Sequence, residues 1–288
     1  MDIHLVSCRS LPEPDPDEAP LVSALTTSGF EVDTVAWDDP AVDWAAAPLS
    51  ILRSCWNYPQ APDAFRGWLT EASKHTQLVN PVDVVQWNLH KRYLLTLADK
   101  GVPVTPTVVI ERGKKVDLRQ LMKARGWTDV VVKPAMSANS WRTVQVTLGN
   151  IDEGQQHLNA LTAERDALVQ LFLTSVDSYG ERSLVYIDGE LTHAVRKEPR
   201  FMQDKLPRSP HVKVDATEAE QTLAATTLAT IPGRGDGEFP LYARIDMTPG
   251  PDGQPMLMEL ELIEPSLWFD KSPIALTRFV EGVVRRRR

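Results

Sequence analysis

The sequence predicts an α/β protein in which a small N-terminal parallel sheet is followed by α+β subdomains. Three observations lead there. Strand-length apolar runs alternate with helical spacing through the first 80 residues, the order that builds parallel sheets. Beyond the midpoint, two pairs of strand-like runs are joined by turn residues, which marks antiparallel hairpins. With 288 residues, 42% hydrophobic and 24% charged, the chain is long enough for roughly two domains and has a globular composition.

Taken in order, Ile3 to Val6 reads as a strand, Leu21 to Thr27 as a helix ended by Gly29, Val32 to Ala36 as a second strand and Leu49 to Leu52 as a third. Between the first strand and helix, LPEPDPDEAP is proline-rich, acidic and aperiodic, which predicts a mobile loop with no site. After Asn80-Pro81, Asn88 is expected to cap a helix carrying Leu94, Leu95, Leu97 and Ala98 on one side and stopping at Gly101, with Lys91 in its first turn. VPVTPTVVI leads into a strand, Leu118 to Ala124 into a helix, and DVVVKPAM into a strand whose apolar run breaks at Lys133. A helix near Glu153 to Ala163 precedes LVQLFL. SLVYIDGELTHAV reads as a hairpin turning at Asp188-Gly189, followed by an irregular charged stretch from Lys197 to Lys213 and a helical segment from Thr217 to Ile231. ARIDM and PMLMELEL pair across a turn made of Pro249, Gly250, Pro251, Asp252 and Gly253. The expected division is 1–85, an N-terminal substrate-side domain; 86–170, a central region with a small lid subdomain; and 171–288, a C-terminal subdomain with the metal site.

Net charge of −8 and a pI near 5.3 argue against nucleic acid as the main partner and leave room for a small anionic ligand in a local basic cleft. Cys8 and Cys55 belong to no metal-binding spacing, and no stretch approaches the ~20 apolar residues of a membrane span. The expectation is a cytoplasmic protein without a membrane or nucleic-acid partner, with a homodimer left open. The run Arg285 to Arg288 suits the C-terminus of a helix.

Chemistry concentrates in LMELELIEP. Strand alternation puts Glu259 and Glu261 on one face and Leu260 and Leu262 on the other. Two neighbouring carboxylates repel, so either water surrounds them or a cation lies between them. Asp246 on the preceding strand can join them, and three carboxylates suit one or two Mg²⁺ ions that carry a nucleotide. A solvated sheet face is the competing reading, and the apolar neighbours Leu257, Met258, Leu260 and Leu262 weigh against it. Lys133 ends an apolar strand where a cation needs an anion, and Lys91 in a first helical turn opposes the macrodipole; a phosphate answers both. Each is also compatible with an ordinary surface lysine. Arg53, Trp56 and Tyr58 follow the third strand at its carboxyl end, where open α/β sheets bind ligands, although a turn packed by Trp56 explains them equally well.

In order, Lys91, the VVKP strand with Lys133, QLFL at Gln170 to Leu173, Glu181 opening a strand, RID at 244–246 and ELE at 259–261 resemble the ATP-grasp superfamily over roughly residues 80–270. LRSCWNYP, NPVDVVQWNLHKRYLLTLADKGVPV, GERSLVYIDGELTHAVRK and MELELIEPSL resemble its D-cycloserine synthetase branch. The resemblance implies an ATP-grasp fold with ATP between two α+β subdomains. It places Lys91 and Lys133 on the phosphates, the backbone of Gln170, Leu171, Phe172 and Leu173 on adenine, and Glu181, with Asp177 as rival, on the ribose. Arg244, with Lys133, would act on the transferred phosphoryl, while Asp246, Glu259 and Glu261 would hold Mg²⁺.

The segment Pro134 to Trp141 stands where the family has a glycine-rich phosphate loop and contains no glycine, so hydroxyls such as Ser137 are expected to help its backbone amides. Arg53, Trp56, Tyr58 and Ser266 are the substrate-side candidates. Arg196, Lys197 and Arg208 read as a solvated charge run or a lid, and the six histidines as structural. The implied activity is an ATP- and Mg²⁺-dependent ligase that activates the carboxylate of a small amino acid or derivative as an acylphosphate for attack by nitrogen. Cyclisation of a substrate such as O-ureido-D-serine, intermolecular amide or dipeptide formation, and a non-catalytic nucleotide-binding module are the three readings.

Overall fold

The computed structural model describes residues 1–197, 211–232 and 239–287. Its first sheet is parallel, in the order β2-β1-β3-β4, from β1 (Ile3–Ser7), β2 (Val32–Ala36), β3 (Leu49–Leu52) and β4 (Gln77–Val79). Every residue of β1 and β3 is buried, as expected of central parallel strands covered on both faces. Helix α1 (Glu18–Thr27) buries Leu21 and Leu25, and Gly29, at φ 88, turns the chain out of it. Helix α2 (Pro62–Ala72), absent from the sequence reading, buries Phe65, Leu69 and Ala72, a stripe narrow enough to hide among polar neighbours.

The loop LPEPDPDEAP departs from expectation. Asp15 and Asp17 are 7% and 1% exposed, and the Asp15 carboxylate accepts the Asp17 N–H at 2.9 Å. A buried carboxylate needs partners, and those of Asp17 lie at the far end of the chain.

Residues 80–105 cross from this sheet to the rest of the molecule through α3 (Val82–Leu89) and α4 (Tyr93–Asp99). A second, antiparallel sheet follows in the order β5-β8-β6-β7: β5 (Thr107–Ile110), β6 (Asp129–Pro134), β7 (Val144–Thr147) and β8 (Ala167–Leu171). Helices α5 (Leu118–Arg125) and α6 (Ile151–Glu164) pack against it through Leu118, Met122, Leu158 and Leu161. Asp117 caps α5, accepting the Gln120 N–H, and Gly126 ends it in the left-handed region.

After the four-residue α7 (Ser175–Ser178), the third sheet runs β11-β10-β9-β12-β13: β9 (Glu181–Ile187), β10 (Glu190–Lys197), β11 (Val212–Val214), β12 (Tyr242–Pro249) and β13 (Pro255–Glu261). The hairpin at Asp188-Gly189 is as expected, with both residues at positive φ. Helix α8 (Glu218–Ala229) starts with a Thr217–Glu220 capping box and covers one face, meeting Leu184, Ile245 and Leu260. Helix α9 (Pro273–Arg286) joins this sheet to the first through Phe279 and Val283. Its terminal arginines do more than complement the macrodipole: Arg285 and Arg286 pair with Asp188, and Arg287 with Asp2. Tyr242, 0% exposed, donates its hydroxyl to the carbonyls of Leu52 (2.7 Å) and Ile263 (2.9 Å), tying the first sheet to the third.

Candidate active site

The acidic stretch sits on β13, and a one-residue irregularity decides what it faces. From the hairpin turn, Met247 pairs with Leu257, but the next pair is Asp246 with Glu259, followed by Arg244 with Glu261. Met258 is therefore a bulge residue, and the bulge shifts all later positions by one. Without it, Glu259 would lie opposite Ile245 and face the core, because opposed residues share a face. The bulge also lets Leu257 and Leu260, three apart, both enter the core at 0% and 1% exposure.

On the resulting face, β9 adds Glu181 and Ser183, β10 adds Lys197 and β12 adds Arg244 and Asp246. Arg244 Nη2 donates to Asp246 Oδ2 at 2.9 Å and to Glu261, while its Nε donates to Asp246 Oδ1 at 3.0 Å. Ser183 Oγ donates to Asp246 Oδ1 at 2.6 Å. Lys197 bridges Glu181 and Asp246, the latter at 2.8 Å. Lys197 is thus no member of a solvated charge run but a partly buried partner of two site carboxylates. The sequence signal was available: it closes the alternating strand ELTHAVRK. Arg208 lies outside the described residues.

Lys91 is not in a helical turn. It lies between α3 and α4, its N–H donating to the Ala135 carbonyl at 2.8 Å and its ammonium to Glu259 at 2.7 Å and the Ser137 carbonyl at 2.6 Å. Nor does Asn88 cap a helix. It is buried inside α3 at 6% exposure, donates to the Leu260 carbonyl (2.9 Å) and accepts the Leu262 N–H (3.0 Å). The Tyr93 hydroxyl both accepts the Leu260 N–H (2.9 Å) and donates to its carbonyl (3.0 Å). Asn80 donates to the Leu262 carbonyl at 2.8 Å. Side chains thus replace the missing neighbour of edge strand β13, satisfying backbone groups that would otherwise be buried unpaired. Tyr93→Phe is expected to cost about 1–3 kcal/mol, the desolvation penalty of an unpaired buried peptide group, read by urea unfolding; an unchanged midpoint would show that the strand does not depend on this hydroxyl.

Lys133 projects from β6, partly buried, and makes no ion pair among the described residues. Burial depresses its pKa, opposed by Glu259 and reinforced by Lys91. The next segment is docked without glycine. Asn139, Ser140 and Arg142 have φ of 50, 56 and 51, a region costly for residues with a Cβ. It is tied down by Lys91 at Ser137, by Arg142 to Glu164 (2.7 Å) and by Arg165, which lies over the Trp141 ring at 4.8 Å.

The carboxylates have opposite electrostatics. At Glu259 burial opposes the charge, but Lys91 and Lys133 outweigh it and the pKa falls. At Glu261 burial dominates, Asp246 and Glu259 add repulsion, and the pKa rises to about 7 despite Arg244. Glu264 rises to about 8 through burial and Glu261. Burial also raises Glu181 despite Lys197, whereas Arg244 and Lys197 overcome burial to hold Asp246 far below the usual carboxylate range.

Among the described residues no three His, Cys, Asp or Glu side chains are arranged to hold a metal ion; Asp246, Glu259 and Glu261 are instead engaged by Lys197, Arg244 and Lys91. The donor set nonetheless fits magnesium. It is all oxygen, and the repulsion from Asp246 and Glu259 that adds to burial at Glu261 is what a divalent cation relieves.

At the stretch expected to receive adenine, the Gln170 side chain is turned to Thr107 (2.9 Å), and the N–H groups of Leu171 and Phe172 donate to the carbonyls of Pro106 and Asp129. The Leu173 N–H makes no hydrogen bond among the described residues. Asp177 is exposed on α7, while Glu181 lies in the site. On the other side, Trp56 Nε1 donates to the Glu264 carbonyl at 3.0 Å, and buried Tyr58 lies beside the Glu264 carboxyl. Arg53 is 4% exposed, donates to the Pro265 carbonyl at 3.0 Å and stacks over Tyr242 at 5.5 Å, while its Nε and Nη1 have no hydrogen-bond partner among the described residues. Arg244 Nη1 donates to the Ser266 carbonyl at 3.3 Å.

Two antiparallel sheets beyond a small parallel one, with Lys133 of one and Lys91 from the connecting helices facing carboxylates of the other, have the architecture of an ATP-grasp ligase. The fold is similar to that of D-alanyl-alanine synthetase A from Vibrio cholerae, at 17% identity and a TM-score of 0.71, covering 99% of this chain and 97% of that one. It is also similar to the crystal structure of D-cycloserine synthetase DcsG, at 31% identity and a TM-score of 0.93 over 100% of both chains. The cycloserine biosynthesis protein DcsG of Streptomyces lavendulae is 32% identical over 281 residues, 94% of each chain. Residues 3–80 match the family described as the N-terminal domain of D-cycloserine synthetase DcsG. The chain belongs to the D-cycloserine synthetase family. It is an ATP-dependent, ADP-forming ligase, which sets aside the non-catalytic module, and membership implies use of ATP and Mg²⁺. No helix among the described residues is long and apolar enough to cross a membrane.

Proposed function

We propose that the chain is a carbon–nitrogen cyclo-ligase that closes a small amino-acid derivative carrying both a carboxylate and a nucleophilic nitrogen, with O-ureido-D-serine giving D-cycloserine as the specific case. The observation that carries this reading is the similarity to cycloserine biosynthesis protein DcsG, 32% identity across 94% of both chains.

In this reading Lys91 and Lys133 hold the ATP phosphates, with the Ser137 hydroxyl beside them. The hinge from Gln170 to Leu173 receives adenine through the Leu173 N–H, and Glu181 takes the ribose. Asp246, Glu259 and Glu261 would hold one or two Mg²⁺ ions, which neutralise charge on the phosphoryl oxygens when bound. A substrate carboxylate oxygen attacks the γ-phosphorus, the bond to ADP breaks, and Arg244 stabilises the transferred group. The substrate nitrogen then attacks the acylphosphate carbonyl, the new C–N bond replacing the C–O bond to phosphate while the nitrogen's proton passes to the departing phosphate or to water; with O-ureido-D-serine the carbamoyl group on that nitrogen is also cleaved by water, as ammonia and carbon dioxide, to leave D-cycloserine. The chain contributes positioning and charge, the usual sources of phosphoryl-transfer catalysis. Trp56, Tyr58 and Ser266 line the substrate side, and Arg53 supports it from behind.

Incubating the protein with Mg-ATP and O-ureido-D-serine alone is expected to release ADP and phosphate and yield a product of the mass of D-cycloserine. Turnover only with pairs of amino acids would replace cyclisation by intermolecular amide or dipeptide formation.

A further inference from the structure

Asp17 occupies the N-cap of α1, where a carboxylate ordinarily accepts N–H groups of its own helix, yet it makes no such bond. Its oxygens instead accept the N–H groups of Leu267 at 2.6 Å, Trp268 at 3.1 Å and Phe269 at 2.9 Å. Three successive amides converging on one anion form a backbone nest, and the turn that aims them puts Trp268 in the left-handed region at φ 48. Arg53 completes the clip: its Nη2 lies 3.5 Å from Asp17 Oδ2 and donates to the Pro265 carbonyl at 3.0 Å. Two side chains of the N-terminal region thus hold 265–269 by its carbonyl and amide groups.

The other side of that segment faces the chemistry. Arg244 donates to the Ser266 carbonyl at 3.3 Å and lies over the Trp268 ring at 5.0 Å. The Ser266 hydroxyl has no hydrogen-bond partner among the described residues. The segment therefore connects the N-terminal sheet to the guanidinium assigned to the transferred phosphoryl. We infer that Asp17, backed by Arg53, is a positioning residue that pre-forms the substrate wall from Pro265 to Phe269, presenting Ser266 to the carboxylate of a small amino-acid substrate and holding Arg244 toward the phosphoryl group that this carboxylate receives.

This rests on reading Ser266 as substrate-side and Arg244 as acting on the transferred phosphoryl. Neither Lys91 nor Lys133 touches the segment, so the amino-acid and nucleotide sides should respond separately.

In Asp17→Asn, a carboxylate oxygen facing the amides is replaced by an NH₂ group that cannot accept them. kcat/KM for the amino-acid substrate is expected to fall roughly 10–100-fold, the penalty for misplaced reacting groups, while the Kd of Mg-ATP alone, by calorimetry, stays within about two-fold of the parent. Equal losses on both sides, or none on either, overturn the inference. Should the variant not fold, hydrogen exchange on the parent decides: amides 267–269 are expected to exchange as slowly as those of β12 without any ligand, and exchange at the rate of an open loop overturns it. Ser266→Ala examines the substrate-side reading separately. A drop there with Asp17→Asn silent rejects the positioning role and keeps the reading; silence in both rejects both.

Discussion

Lys133→Met is expected to make the nucleotide-free protein more stable and nearly inactive at once. The ammonium is partly buried with no ion-pair partner among the described residues, and burial depresses its pKa below the ordinary 10.5. A base with a depressed folded-state pKa binds its proton less tightly folded than unfolded, so the charge costs stability at neutral pH and the cost fades only as pH rises toward 10.5. Methionine keeps the stem and removes the charge, so the urea midpoint should rise. In the proposed reading the same charge meets the ATP phosphates, and removing one preorganised electrostatic group commonly costs roughly 10²–10³-fold in rate. A stability gain without loss of Mg-ATP turnover would detach Lys133 from catalysis. Loss of both would mean that the ammonium has a structural anion.

Much of this was legible from residues 80 to 270. Periodicity located both hairpins, and the strand ends at Lys133 and Glu181 stand where their flanking residues put them. Patterns of two and 3.6 residues are local, so burial enforces them wherever a face meets a core. Parity along β13 is not local. Alternation alone would set Leu257 on the face of Glu259, yet Leu257 is 0% exposed in the core because Met258 bulges out of register. The nearest sequence hint is the odd spacing between Leu257 and Leu260, which only burial on one side turns into a bulge.

Long-range satisfaction of polar groups was invisible for a related reason. Asn88 has the residue type of a helix cap, but an unpaired strand edge 172 positions away offered it a better set of partners. Asp17, in a proline-rich acidic loop with the composition of a mobile segment, is fixed by three amides 250 to 252 positions distant. In both cases the local propensity was real and a tertiary contact outweighed it. The ion pairs also change how the family motif reads: Lys91 holds Glu259, Lys197 holds Asp246 and Arg244 holds Glu261, contacts that no local pattern in the sequence announces.

Glu261→Gln should separate metal binding from ion pairing by its pH dependence. Glu261 has a folded-state pKa of about 7 against an ordinary 4.5, so between those values the native protein holds a proton that the unfolded chain releases. Stability of the metal-free protein from this group is therefore full at low pH and declines as pH rises through that window. Magnesium requires the ionised carboxylate, so below pH 7 it must displace the proton, and the parent's apparent Mg²⁺ affinity should fall as pH drops from 8 to 6. Glutamine cannot titrate. The variant should lose both slopes, and its Mg²⁺-dependent turnover should drop by roughly 10²-fold or more, as expected when a charge-stabilising group is removed. Glu259→Gln offers the contrast, because Lys91 and Lys133 keep that carboxylate ionised over the same range; its turnover should fall while the pH slope of Mg²⁺ affinity persists. If both variants turn over Mg-ATP within a few-fold of the parent, the acids of β13 are partners of Arg244 and Lys91 alone, and the metal must be held elsewhere.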